Sequence, residues 1–174
     1  MGLFGVAIAL VALPDMTELY IKKDSKNFNK TFLRGSLSTL LLGLATMIFY
    51  LFFSAEIISL LFERGEFQEF DVAMTSASLV AYAYALPFLL NSKFFNSIFF
   101  ATSKTKFVLL LGIVSLFINL LLNYLFIFIF GMGHVGLALA TTCAALIVWL
   151  LSILFLIYLR LSLIHISEPT RLQQ

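Results

Sequence analysis

The chain has 174 residues, of which 61% are hydrophobic and 11% charged. A soluble domain carries about 25% charged residues and needs them to cover its surface, so this composition excludes one. The formal net charge of +2 and the confinement of the lysines to short stretches exclude a nucleic-acid-binding surface. The one cysteine, Cys143, lies in an apolar run and has no partner for a disulfide. It reads as a small packing residue.

Taken in chain order, the apolar stretches number about five: Gly2 to Leu19, Leu33 to Phe62, Val72 to Phe100, Phe107 to Phe130 and Val135 to Leu159. Most exceed the roughly 20 residues that cross a hydrocarbon core about 30 Å thick. Between Gly35 and Phe62 the one charged residue is Glu56, and between Phe107 and Leu159 only His134 can carry a charge. The bilayer offers the backbone no water, so each stretch is expected to be helical; the alternation that marks barrel strands is absent. The expected fold is all-α, a polytopic transmembrane helix bundle spanning residues 1–160. No Lys or Arg precedes Lys22, so the first stretch is not a signal peptide. Gly2 to Leu13 is short for a span by itself and extends through Pro14 to Leu19, or has lost its beginning.

The connections set the orientation. Lys22, Lys23, Lys26, Lys30 and Arg34 occupy the first, Asp15 to Arg34; Lys104 and Lys106 occupy the third; Arg160 follows the fifth stretch. The second, Glu63 to Asp71, sets Arg64 against four acids, and the fourth, Gly131 to His134, has no Lys or Arg. Basic and non-basic connections alternate, which places the first, third and last in the cytoplasm.

Small residues let helices approach closely in lipid. Ala73, Ala77, Ala81 and Ala85 fall on one face of the third stretch, and Gly136, Ala140 and Ala144 on one face of the fifth. Both faces are expected to meet protein, and the faces rich in Phe and Leu to meet lipid. Pro87 frees a carbonyl near Ala83 and bends the third helix.

Charge at bilayer depth is costly and usually functional. Lys93, in LLNSKFFNSIFF, lies about two turns from the cytoplasmic end of the third stretch, either lining a cavity or snorkelling to the interface. Glu56 is closer to the outer end and reads as interfacial. Asn119 and Asn123, one turn apart, fit an interhelical hydrogen-bond seam; Asn91 and Asn96 also need partners. Glu63 and Arg64 are expected to pin the outer turn, Gly65 to allow its bend, and Phe67 belongs to the same motif. No catalytic set, metal-ligand spacing or phosphate-binding glycine loop can be assembled, so neither an enzyme nor a cofactor is expected. His134 reads as a loop residue.

Four strings together resemble the lipid II flippases (MurJ or MviN) of the multidrug/oligosaccharidyl-lipid/polysaccharide exporter superfamily. GVAIALVALPDMTEL resembles that family's G-V-A-x-x-x-x-x-L-P-x-L-S helix, with Met16 and Thr17 in place of Leu and Ser. EIISLLFERGEFQEFD resembles its L-L-F-x-R-G-x-F helix end followed by an acid. LVAYAYALPFLLNSKFFNSIFFATSKTKFV, including Lys93, resembles the next helix and its basic turn, and GHVGLALATT the start of a later one. Their order and spacing agree from Gly5 to about Arg160.

This resemblance implies the eighth through twelfth helices of a fourteen-helix fold in the bacterial inner membrane. It also implies a protein that moves the lipid-linked peptidoglycan precursor between leaflets by alternating access. The implied partners are a lipid-linked anionic substrate, membrane lipids and the missing N-terminal helices of the same protein, with no nucleic acid. The family's cavity arginines sit at positions outside this chain. Another exporter of the superfamily, moving a lipid-linked O-antigen or a drug, and a small membrane scaffold are the alternatives. The polar run SLIHISEPTRLQQ resembles translated adapter sequence, and 161–174 is expected to be a non-native tail.

Overall fold

The structure, a computed structural model, describes residues 2–167, and the side chains of 7–159. Six α-helices follow in order among these residues: α1 (Gly2–Ile21), α2 (Ser25–Phe62), α3 (Glu69–Ala83), α4 (Leu86–Ala101), α5 (Thr105–Tyr124) and α6 (Gly133–Ser167), with a π-helical turn, Leu125–Ile129, closing α5. Among the described residues three helices are long and apolar enough to cross a membrane. The pair α3 and α4, bent by 42°, makes a fourth.

The first connection departs from expectation. The basic stretch Asp15 to Arg34 is not a loop: α1 runs to Ile21 and α2 begins at Ser25. Hydrogen bonding along a helix does not stop where the hydrocarbon ends, and Asp24 caps the new helix. Its carboxylate accepts from the backbone N–H of Asn27 at 3.1 Å and from the Asn27 amide at 2.6 Å. Those two bonds hold the Asp24 carboxyl below its ordinary range.

The two basic turns share one geometry. Lys23 N–H donates to Tyr20 O at 3.1 Å and Asp24 N–H to Leu19 O at 3.1 Å; Ser103 N–H donates to Phe100 O at 3.0 Å and Lys104 N–H to Phe99 O at 2.7 Å. This pair of bonds closes a helix when the residue after it turns left-handed. Lys23 and Ser103 do so, with φ of 55° and 57°, although neither is glycine. Ser103→Gly is therefore expected to stabilise the chain, by up to about 1 kcal/mol once the entropy of the added glycine is subtracted. Thermal unfolding of the purified variant in detergent checks this, and a lower midpoint refutes it.

The opposite end bends on glycine. The Glu63 N–H closes α2 on Ser59 O at 3.0 Å, and the Ser59 hydroxyl donates to the Glu63 carboxylate. Gly65 then takes φ of 62°, Phe67 N–H donates to Arg64 O at 3.2 Å, and the Phe62 and Phe67 rings meet at 6.1 Å. The Asp71 carboxylate accepts from Gln68 N–H at 3.0 Å and starts α3.

α3 ends at Ala83 and α4 begins at Leu86, so the bend lies just ahead of Pro87, which sits in the first turn of α4 where its missing N–H costs nothing. Pro87 has no N–H to offer the Ala83 carbonyl; one turn earlier, Ala85 N–H turns to Tyr82 O at 3.0 Å rather than to Ala81 O, and the Thr142 hydroxyl of α6 donates to Ala81 O at 2.6 Å. The expected alanine ribbon is buried only in part. Ala81 and Ala85 are buried, but Ala73 and Ala77 are exposed, because α3 meets its neighbours through Val72 and Ser76. Gly136, Ala140 and Ala144 are buried as expected. The backbone of α6 runs past 160 to Ser167, and residues 168–174 of the expected tail lie outside the described residues.

Candidate functional site

α4 is the centre of the bundle, in contact with α1, α2, α5 and α6. Its buried residues, Phe94, Phe95, Ile98 and Phe99 among them, form the main apolar cluster with Met16 of α1 and Leu111 of α5. Phe28 and Phe107, each just beyond one of the basic turns, pack on this same cluster, so the two turns share one end of the bundle. That is the arrangement the lysine alternation requires.

α2 crosses α4 on a line of small residues. A Cβ on Gly43 lies 2.5 Å from Pro87 Cα, and one on Gly35 lies 2.3 Å from the Phe94 ring. Thr39, between them, is fully buried. The spacing of Gly35, Thr39 and Gly43, four apart, is a visible signal in the sequence. Sequence reasoning missed it because the four alanines of the third stretch make a longer and more regular ribbon.

Asn91 lies at the level of Thr39 and is 1% exposed. Its amide nitrogen donates to Ser36 O at 2.8 Å, Ser36 Oγ at 3.1 Å and Thr39 Oγ1 at 2.8 Å. Its oxygen accepts from the Trp149 indole N–H of α6 at 2.8 Å. Three helices are thus tied at one depth, and a buried amide with both ends satisfied escapes the penalty of an unpaired polar group. Trp149, absent from the residues singled out by sequence, is the chain's one tryptophan.

Lys93 follows two residues later, roughly 200° around the helix from Asn91. It is half-buried, as is Asn96, and they share a face with Leu89 and Phe100, which are 38% and 48% exposed. Among the described residues the one ion pair joins Lys22 to Glu18, so no described carboxylate pairs with Lys93.

Asn119 and Asn123 do form a seam. The Asn123 amide nitrogen donates to Asn119 Oδ1 at 2.9 Å, and that of Asn119 donates to Thr141 Oγ1 on α6 at 3.2 Å. The Asn123 oxygen is buried without a partner, as is the Ser92 hydroxyl. Glu63, Gly65 and Phe67 sit in the outer turn described above, and Arg64 contributes its carbonyl. Glu56 and His134 are exposed, and Cys143 is half-buried in α6. No group of three or more His, Cys, Asp or Glu suited to a metal occurs among the described residues.

The family model of the lipid II flippase MurJ matches residues 1–168. A probable lipid II flippase MurJ of Vibrio cholerae is 33% identical over 145 residues, 83% of this chain and 27% of that protein. The lipid II flippase MurJ of Thermosipho africanus is 32% identical over 148 residues, 84% of this chain and 29% of that protein. A solved structure of a lipid II flippase MurJ in an inward closed conformation superposes with a TM-score of 0.76 at 30% identity, over 90% of this chain and 32% of the other. The chain therefore spans less than a third of the length of these relatives, and the helices align with part of a larger bundle. The chain is a membrane protein, and it belongs to the lipid II flippase MurJ family.

Proposed function

We propose that the chain forms part of a flippase that carries lipid II, the lipid-linked peptidoglycan precursor, across the bacterial inner membrane. The end of the bundle bearing Lys22, Lys23, Lys104 and Lys106 faces the cytoplasm. The observation that carries the reading is the family membership, joined to the face of α4 on which Lys93 and Asn96 sit half-exposed at membrane depth. Facing lipid, an ammonium and an amide on this face incur a desolvation cost; facing a headgroup path they do not. An anionic phosphate gives the Lys93 ammonium a counter-charge, and Asn96 a hydrogen-bonding neighbour one turn on. Transport of this kind breaks no bond in the substrate, so the protein is a transporter rather than a catalyst. The Asn119, Asn123 and Thr141 seam and the glycine-hinged outer turn hold the helices in register around that path. Other partners are the membrane lipids and the remaining helices of the full-length protein.

Expression of the full-length protein in a strain depleted of its own lipid II flippase tests this. Restored growth and restored movement of labelled lipid II to the outer leaflet are the expected results. A protein that reaches the membrane in normal amount but rescues only transport of another lipid-linked sugar sinks the reading in favour of a different exporter of the superfamily.

A further inference from the structure

We infer that Asn91 is a positioning residue for Lys93: by tying α4 to α2 and α6 it fixes the rotation of α4, and so the direction in which the Lys93 ammonium is presented. The inference rests on the proposed role of Lys93 in transport.

A helix held by apolar contacts alone can rotate at little cost, since one Phe or Leu substitutes for the next against a lipid-like surface. Directional bonds remove that freedom. Asn91 supplies such bonds on two sides of α4 at one level, to Ser36 and Thr39 of α2 and to Trp149 of α6. Any rotation breaks them in a fully buried place. Pro87 against Gly43, one turn toward the bend, and Phe94 against Gly35, one turn toward the basic end, limit sliding along the same axis. Lys93 stands on the far side of the helix from this anchor. The neighbouring Ser92 hydroxyl is buried without a partner, so the polar anchor of this turn is Asn91.

Thiol labelling of the full-length protein in proteoliposomes reads the rotation directly. Native cysteines, Cys143 included, are replaced by serine, and Lys93→Cys is treated with an anionic, membrane-impermeant methanethiosulfonate. Combining Lys93→Cys with Asn91→Leu is expected to slow labelling by about fivefold or more, the size of effect that residues coupled through a shared backbone shift exert on each other. Labelling of a Lys104→Cys control in the same background should not change. Equal labelling rates for Lys93→Cys alone and Lys93→Cys with Asn91→Leu overturn the inference. Should Asn91→Leu fail to fold, Trp149→Phe, which removes the indole donor to Asn91 and keeps an aromatic ring beside Phe88, decides: slower labelling of the thiol introduced by Lys93→Cys supports the positioning role, and an unchanged rate overturns it. Intact transport by Lys93→Ala removes the proposed role of Lys93 in transport and leaves the labelling result standing.

Discussion

Gly43→Val is expected to leave little folded protein. A Cβ at this position comes within 2.5 Å of Pro87 Cα, and within 3.0 and 3.1 Å of Pro87 N and Leu86 O. All three are backbone atoms at the start of α4, so no side chain can swing aside. Relief requires α2 and α4 to separate. That separation pulls the Asn91 amide from Ser36 and Thr39, one turn away. Overpacking costs about 1–3 kcal/mol where side chains can adjust. Here the loss of a buried polar contact adds about 1–3 kcal/mol. Gly43→Ala should be destabilising in the same direction by a smaller amount. Gly112→Ala is the control: nothing lies within 4 Å of its added Cβ, and alanine is the better helix former by about 1 kcal/mol. Membrane abundance and thermal unfolding of the three variants give the comparison. A Gly43→Val protein as stable as the parent refutes the close α2–α4 crossing.

Lys93→Glu is expected to abolish transport in the full-length protein. A hydrogen bond to a charged group contributes about 1.5–3 kcal/mol, so Lys93→Ala should cost roughly 10- to 100-fold in transport rate. The reversal adds repulsion between a carboxylate and a phosphate and should cost more. Lys93→Arg, which keeps the charge and offers phosphate a planar fork of N–H donors, should retain most of the rate. Flux of labelled lipid II in proteoliposomes, corrected for protein amount, checks the series. A Lys93→Ala protein that transports at the parent rate removes Lys93 from the mechanism. Glu56, exposed near the outer end of α2, supplies the contrast, since Glu56→Gln should change the rate little.

Much of this architecture is legible in the order of residues alone. Long apolar runs can only be helices in lipid, and strict alternation of lysine-bearing connections sets which ends lie together; Phe28 and Phe107 on one cluster bear that out. The Asn119 and Asn123 pair forms its seam because residues four apart share a helix face whatever the neighbour. The alanine ribbon fails for the complementary reason. A wheel names a face without saying how far along it a neighbour reaches: Ala73, Ala77 and Ala81 lie on one unbroken helix, yet only Ala81, whose carbonyl accepts from Thr142 of α6, is buried. Periodicity also names a face without naming its partner. The Gly35, Thr39 and Gly43 line carries meaning only once it is set against Pro87 and Asn91, and the Trp149 to Asn91 bond joins residues 58 apart in sequence.

α2 has 38 residues, a rod of about 57 Å at about 1.5 Å per residue, against a hydrocarbon thickness of about 30 Å. Its lysine-bearing first turns therefore stand clear of the oil as a rigid post. A stretch that offers trypsin Lys22, Lys23, Lys26, Lys30 and Arg34 presents only a three-residue turn as accessible chain, and cleavage there should be slow for so basic a sequence.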